Sequence, residues 1–564
     1  MKHSGVRRAA VCGVWGTLLA LQVGCSSAED SSYSDRGSPA AAVPSPDASK
    51  GDPYASNPPW GNQAAAGASS GTAAVGNVAS DSAQGFVDPP PAAKATNGFV
   101  ITAHDPQSTF GADVDTASYE LFRRDINLGV RPDPASVRLE EYVNDFKYSY
   151  PAPAADSDTP FSISLAASPG LYGRETQLLR VGIRGKEAKP TEKLPSNLVF
   201  LVDTSGSMQS ADKLPLVKRV LTDTLAVLQP TDTVSIVTYA GFTSVALTPT
   251  AVEDKAKIAA VIESFAAGGS TAGSAGLDLA YQQAEAGFVK GGLNHVLLCT
   301  DGDFNVGPSS TPELVRAIEQ KRKSGITLTV LGFGQGLNDS MMEAVSNKGN
   351  GVYGVISSPE QADSYVKERL LSTMTFIAKD VKIQVEFNPE RVYAYRLLGY
   401  EDRAIADNDF RNDVVDAGEI GAGHRVTALY ELALTSSALP ISSGIPAPQD
   451  GSVFSEPLEV AAEALALVKV RYKDRDATET DAAHEVSQSL LPDQFIAAVS
   501  EADDDFAWAL AVASFSEVLK GSPFAVRSSL PAIEQIVKRP TFAADPDRAE
   551  FLALFEKAVP LLGP

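Results

Sequence analysis

Asn197-Leu198-Val199-Phe200-Leu201-Val202-Asp203-Thr204-Ser205-Gly206-Ser207 is the stretch on which the fold turns. Leu198 to Val202 is an unbroken apolar run, which reads as a strand buried on both faces rather than one that alternates between core and water. It stops at an acid, a glycine and two serines, and apolar residues at helical spacing follow from Leu214 to Leu228. The same grammar continues downstream. Strand patterns lie at Thr233 to Tyr239, Val245 to Leu247 (a short edge), His295 to Thr300, Thr327 to Gly332 and Val352 to Val355. Helical patterns lie between and after them, at Val252 to Phe265, Ala275 to Ala286, Glu313 to Lys323, Ser340 to Asn347 and Pro359 to Thr375. Such alternation predicts a doubly wound, mostly parallel α/β sheet with right-handed crossovers over residues 196–375.

Ligands of such sheets bind beyond the carboxyl ends of the strands, where the strand order reverses. Asp203 and Asp301 stand at two such ends, and a third loop brings Gly268-Gly269-Ser270-Thr271. Two carboxylates and the hydroxyls of Ser205, Ser207 and Thr271 offer a hard, all-oxygen shell, which suits Mg²⁺, with Mn²⁺ or Ca²⁺ as alternatives. An Asp-x-Ser-x-Ser turn aims alternate side chains at one ion, and Gly206 permits its tight backbone. So few formal charges leave the ion electrophilic enough to accept an acidic side chain from another molecule. Helix capping is the competing use of Asp203 and Ser205, but it does not explain why three separate loops deliver oxygen to one sheet edge. Cys299 reads as a small core residue.

Asp203-x-Ser205-x-Ser207, then Thr271, then Asp301, in this order on this α/β pattern, resembles the metal-ion-dependent adhesion site of a von Willebrand factor type A (VWA) domain. The resemblance implies a Rossmann-like sheet and makes these five residues the ligands, some direct and some through water. Asp303 matches no family ligand. The wider chain is similar to bacterial VWA lipoproteins of the YfbK-like kind. That similarity is carried by Phe110-Gly-Ala-Asp113-Val-Asp115-Thr-Ala-Ser118 and Arg138-Leu-Glu140-Glu141-Tyr-Val-Asn-Asp-Phe146. It covers residues 98–560 and implies a domain architecture rather than an activity.

Outside the central unit, residues 98–195 predict helices at Tyr119 to Leu128 and Val137 to Phe146, then alternating strands at Phe161 to Leu165 and Gln177 to Arg184. Strand texture returns over 376–475, at Val381 to Phe387, Arg425 to Leu434 and Leu465 to Tyr472. Strand-rich segments on both sides of the α/β unit predict one β-sandwich interrupted by it. Residues 476–564, with helical spacing from Asp493 to Lys520 and from Leu530 to Leu562, predict a helical C-terminal region. Asp113 and Asp115 read as helix-capping or turn residues, Asp503-Asp504-Asp505 as a solvated or helix-starting cluster, and Asp407 to Asp413 as a solvated acidic loop without the Gly and Glu of an EF-hand.

The front of the chain has a basic start (Lys2, Arg7, Arg8) and a mostly apolar run from Ala9 to Gly24, the pattern of a secretory signal over 1–24. Leu21-Gln22-Val23-Gly24-Cys25 resembles a bacterial lipobox, which implies a diacylglycerol on Cys25 and a lipid-anchored protein of the bacterial cell envelope, at the outer membrane or periplasmic face. Residues 25–97, rich in Ser, Ala, Gly and Pro, bury too little to order and read as a tether. Beyond Cys12 in the signal and Cys25, only Cys299 remains, which excludes an intramolecular disulfide and cysteine-rich zinc sites. The 564 residues carry 47 Lys+Arg against 70 Asp+Glu, a formal charge of −23. That balance argues against nucleic acid as partner.

No catalytic constellation emerges. His484-Glu485 lacks the second histidine of a zinc-protease helix, and Gly332-Phe-Gly334-Gln-Gly336 has Leu337 where a dinucleotide loop needs glycine. The sequence therefore predicts a binding protein, not an enzyme, whose ion captures an Asp or Glu of a protein partner. The alternatives are a metal-dependent hydrolase with its site in the flanking domains, or a structural envelope lipoprotein.

Overall fold

The computed structural model describes residues 96–563, apart from 113–114, 155–156, 188–193, 270–274, 303–310, 371–375, 414, 416, 440–456, 476 and 478–480. Cys25, the signal and the tether up to residue 95 lie outside the described residues, as do Asp113, Thr271 and Asp303.

The chain enters through two short strands, β1 (Val100–Ile101) and β2 (Gln107–Gly111), and two helices, α1 (Ala117–Asn127) and α2 (Leu139–Asn144). A hairpin of β3 (Phe161–Pro169) and β4 (Gln177–Gly185) follows. The central unit then runs β5 (Ser196–Asp203), α3 (Leu214–Val227), β6 (Thr233–Tyr239), β7 (Thr243–Ala251), α4 (Lys255–Glu263), α5 (Gly276–Ala286), β8 (Leu293–Thr300), α6 (Thr311–Arg322), β9 (Thr327–Phe333), α7 (Asp339–Lys348), β10 (Tyr353–Ile356) and α8 (Pro359–Ser364). Its strands lie in the order β10-β9-β8-β5-β6-β7, all parallel except the edge strand β7. β5 is buried along its whole length, as its apolar run requires. Helices cover both faces: Val217, Val220 and Leu221 of α3 pack on one, and Leu277, Ala280 and Tyr281 of α5 on the other. The order reverses between β5 and β8, so the crevice of the sheet opens beyond the ends that carry Asp203 and Asp301.

The rest of the chain returns as β11 (Phe376–Phe387), β12 (Ala394–Leu398), β13 (Gly418–Gly421), β14 (Arg425–Ala433), β15 (Ala466–Asp474) and β16 (His484–Leu490), then helices α9 (Asp504–Lys520), α10 (Leu530–Val537) and α11 (Pro546–Leu561). Two antiparallel sheets result. One has the order β1-β12-β14-β4-β3; the other has β13-β11-β15-β16, with β2 also on β11. Each sheet mixes strands from before and after the central unit. Their facing side chains, among them Phe110, Val181, Ile183, Val385, Phe387, Tyr430 and Val468, form one core. The interrupted β-sandwich is therefore present. Its outer face at Leu178, Leu398 and Leu429 is covered by α1, α2 and the C-terminal helices, around Trp508. α1 serves two layers: Ala117 and Leu121 pack on the central unit, and Tyr119, Phe122 and Ile126 on the helical core.

Several expectations need correction. The segment 476–564 is not helical throughout: His484–Leu490 is an edge strand paired with β15, and Ile496 donates its amide to Ala167 O at 2.7 Å, so the long helix begins at Asp504. The pattern from Pro359 to Thr375 splits into α8 and a π-helical turn, Tyr365–Leu370, with 371–375 outside the described residues. Thr116, not Asp115, is the N-cap residue of α1. The buried carboxylate of Asp115 accepts from Tyr353 N (3.0 Å) and pairs with Arg403 (2.9 Å), tying the helix start to β10 and the sandwich. Asp407 is not simply solvated, since it accepts from Thr109 Oγ1 at 2.6 Å. No helix among the described residues is long and apolar enough to cross a membrane.

Candidate metal centre

Parallel pairing brings the predicted residues to one edge. In register, Asp203 of β5 lies beside Tyr239 of β6, and Val202 beside Cys299 of β8, so that Asp301 emerges just beyond Asp203. Asp203 is fully buried. Its Oδ1 accepts from Ser205 N at 2.8 Å and its Oδ2 lies 3.4 Å from Thr300 Oγ1. Ser205 and Ser207 place their hydroxyl oxygens 2.9 Å apart. Ser205 is buried and Ser207 exposed, so the first loop reaches from the crevice floor to solvent.

The second loop is clasped to the first by two backbone bonds, Gly206 N to Gly269 O (3.1 Å) and Gly268 N to Thr204 O (2.9 Å). Gly206 suits that close approach, because a Cβ there would stand 3.2 Å from Gly269 O, tighter than an ordinary contact. These bonds place the described part of the loop against the Asp-x-Ser-x-Ser turn; Thr271 itself is outside the described residues. Asp301 heads the third loop. Its Oδ2 pairs with Lys213 Nζ at 2.9 Å, while its Oδ1 is buried with no hydrogen-bond partner among the described residues.

Burial pushes the Asp203 carboxyl up to about 6, and the nearby Asp301 charge adds to the rise; hydrogen bonds from Ser205 and Tyr239 oppose it. A buried acid beside a second acid, with a bare carboxylate oxygen and two adjacent hydroxyls, is a donor set short of a cation. All of these donors are hard oxygens, so the residues fit a Mg²⁺-like ion and offer nothing to a soft one. No group of three or more His, Cys, Asp or Glu side chains gathers among the described residues. The centre is thus a low-charge one of two carboxylates and hydroxyls.

Sequence reasoning did not name Lys213, Tyr239 or Thr300. Tyr239 and Thr300 end the strands that flank Asp203, and that position was the available signal. Phe242, in the turn after β6, is 76 % exposed. Its carbonyl accepts from Ala240 N (3.1 Å), and Gly241 of the same turn lies against Gly269. An exposed aromatic residue therefore sits in the turn that touches the second loop. Cys299 and His295 are buried core residues of β8, and His295 Nδ1 lies 2.6 Å from Thr327 Oγ1. A separate cavity of about 810 Å³ lies among α1, α8, the Ala422–Arg425 turn and α11; its Arg123 and Arg369 are engaged with Glu120 and Asp145.

Residues 197–368 match the family model described as von Willebrand factor type A domain, 372–561 match "Uncharacterized protein YfbK, C-terminal", and 92–180 match a model described as von Willebrand factor. The chain is 39% identical over 467 residues to the uncharacterized protein YfbK of Escherichia coli (strain K12), covering 81% of this chain and 78% of that one. Among solved structures, a von Willebrand factor type A protein from Catenulispora acidiphila matches 71% of this chain and 90% of its own, at 16% identity and a TM-score of 0.41. The ArnB paralog VWA2 from Sulfolobus acidocaldarius matches 72% and 98%, at 13% identity and a TM-score of 0.34.

Proposed function

Because the chain belongs to the YfbK family of von Willebrand factor type A domain proteins, we propose that it is a binding protein whose centre holds Mg²⁺ and presents it to an acidic side chain of a protein partner. The observation that carries this reading is Asp301 Oδ1, a buried carboxylate oxygen with no partner among the described residues, on the sheet edge that also bears Asp203 and the paired serine hydroxyls. Asp203, Ser205, Ser207, Asp301 and Thr271 would hold the ion, and Mn²⁺ or Ca²⁺ would meet the same donors. The bound ion supplies Lewis acidity toward a carboxylate. The chain's own residues do the rest. Asp203 and Asp301 give the only two formal charges of the donor set, Ser207 opens it to solvent, and Phe242 offers apolar surface to whatever docks there. An exposed aromatic beside a polar centre is the kind of anchor that dominates small interfaces.

Acylated Cys25 in the envelope membrane and the 25–97 tether complete the proposal, giving the domain reach from a lipid surface to an envelope protein, while the acid excess argues against a nucleic-acid partner. The test is capture from envelope extract by the full chain, run in Mg²⁺, in EDTA and with Asp203→Ala. The expected result is a specific band in Mg²⁺ that vanishes in the other two arms while Asp203→Ala stays folded by circular dichroism. A band indifferent to EDTA and to the substitution contradicts the proposal.

A further inference from the structure

The geometry points to Lys213 as a built-in counter-cation of the ion centre: a positioning residue that holds Asp301 Oδ2, leaves Oδ1 for the ion, and makes ion loading depend on an incoming carboxylate. This inference rests on the Mg²⁺ reading above.

Lys213 immediately precedes α3, in an irregular backbone conformation (φ −124, ψ −105). Its amide donates to Ser210 O at 3.2 Å, so the turn that closes the first loop also launches its side chain. The aliphatic stem crosses Gly334, in the loop between β9 and α7. A Cβ at Gly334 would stand 2.4 Å from Lys213 Cε and 2.9 Å from Cγ, so the stem lies directly against the glycine backbone. The ammonium ends on Asp301 Oδ2 at 2.9 Å, with the lysine side chain 17 % exposed and that of Asp301 3 %. The ion pair places the ammonium on one Asp301 oxygen, and the other is the one left without a hydrogen-bond partner among the described residues.

The consequence follows from charge. Asp203 and Asp301 contribute two negative charges and Lys213 one positive, so the donor set presents a net single negative charge to a divalent cation. The loaded centre keeps a net positive charge, which an incoming carboxylate neutralises. Without the lysine the two aspartates alone would balance the ion and remove that driving force. Charges a few ångströms apart at a protein surface interact strongly enough to change an affinity by about tenfold or more. Lys213 therefore weakens binding of the bare ion and strengthens binding of a carboxylate to the loaded centre. Because coupling is reciprocal, the carboxylate in turn tightens the ion. The partner this selects carries a carboxylate.

The experiment is calorimetric titration of Mg²⁺ into the full chain, wild type against Lys213→Met, which keeps the stem, and Lys213→Gln as a second neutral variant. Thermal unfolding verifies that each is folded. The expected result is Mg²⁺ affinity about tenfold or more tighter in both variants, a gain that a purely structural lysine would not produce. Unchanged or weaker affinity in a folded variant, with wild type binding one ion, overturns this inference and leaves the ion reading standing. No binding by wild type or variants overturns the ion reading itself, and this inference with it.

Discussion

A fully buried carboxyl with a pKa of about 6 is a strained resting state for a metal-free centre. The unfolded chain releases this proton near 3.8, whereas the native chain keeps it until about 6. Between those values the native state binds the extra proton, so the stability of metal-free protein from this group falls as pH rises and stays reduced above 6. Asp203→Asn removes the term. Chemical denaturation in EDTA should find the variant more stable than wild type at pH 7, on the order of 2 kcal/mol, with the difference closing toward pH 4. Saturating Mg²⁺ should reverse the ranking, because only the wild type gains the ion. A variant less stable than wild type in EDTA at pH 7 contradicts the burial account. At this scale the aspartates and serines were legible in the sequence, since their order along the chain maps directly onto adjacent strand ends. Lys213 was not, because its pairing with Asp301 joins residues that only the finished sheet brings together.

Helix α9 shows how an element is specified from both ends and buried between them. Asp503 caps its start, accepting from Phe506 N at 2.7 Å and pairing with Arg180 at 3.0 Å, and Gly521 ends it in the left-handed conformation (φ 70). Between them Phe506 to Leu519 are buried. Asp503→Ala loses the cap bond, and urea unfolding should show a loss of about 1 kcal/mol with an unchanged denaturant slope. No loss would mean that tertiary packing alone sets the helix start. The elements legible in sequence were those with a dense apolar period. β16 went unread because it is an exposed edge strand with only Val486 and Leu490 to mark it. β12 went unread for another reason: Arg396 sits mid-strand, and its burial is made tolerable by Glu431 (2.8 Å) and Glu517 (3.0 Å), partners supplied by β14 and α9. A charged residue reads as surface until its distant partners are known.

At the scale of the whole molecule, the central α/β unit is inserted between the two halves of a sandwich, and each half is incomplete alone. β4 pairs with β14 and β2 with β11 across that insertion. The strand textures on either side made the interruption legible; the registers that interleave them were not, because pairing partners lie more than 200 residues apart. Arg369, in the turn that leaves the central unit, donates to Thr116 Oγ1 (2.6 Å) and pairs with Asp145 (2.6 Å), so the exit from the α/β unit is anchored to the start of α1 and the end of α2. A rigid frame of this kind holds three loops at one sheet edge, and the account stands or falls on whether they clasp a cation. Titrating Mg²⁺ into the full chain by calorimetry, with Asp301→Asn alongside, tests this most directly. The account predicts one ion per wild-type chain and none detectable in the variant at the same concentrations. Absence of binding by wild type, or equal binding by the variant, would contradict it.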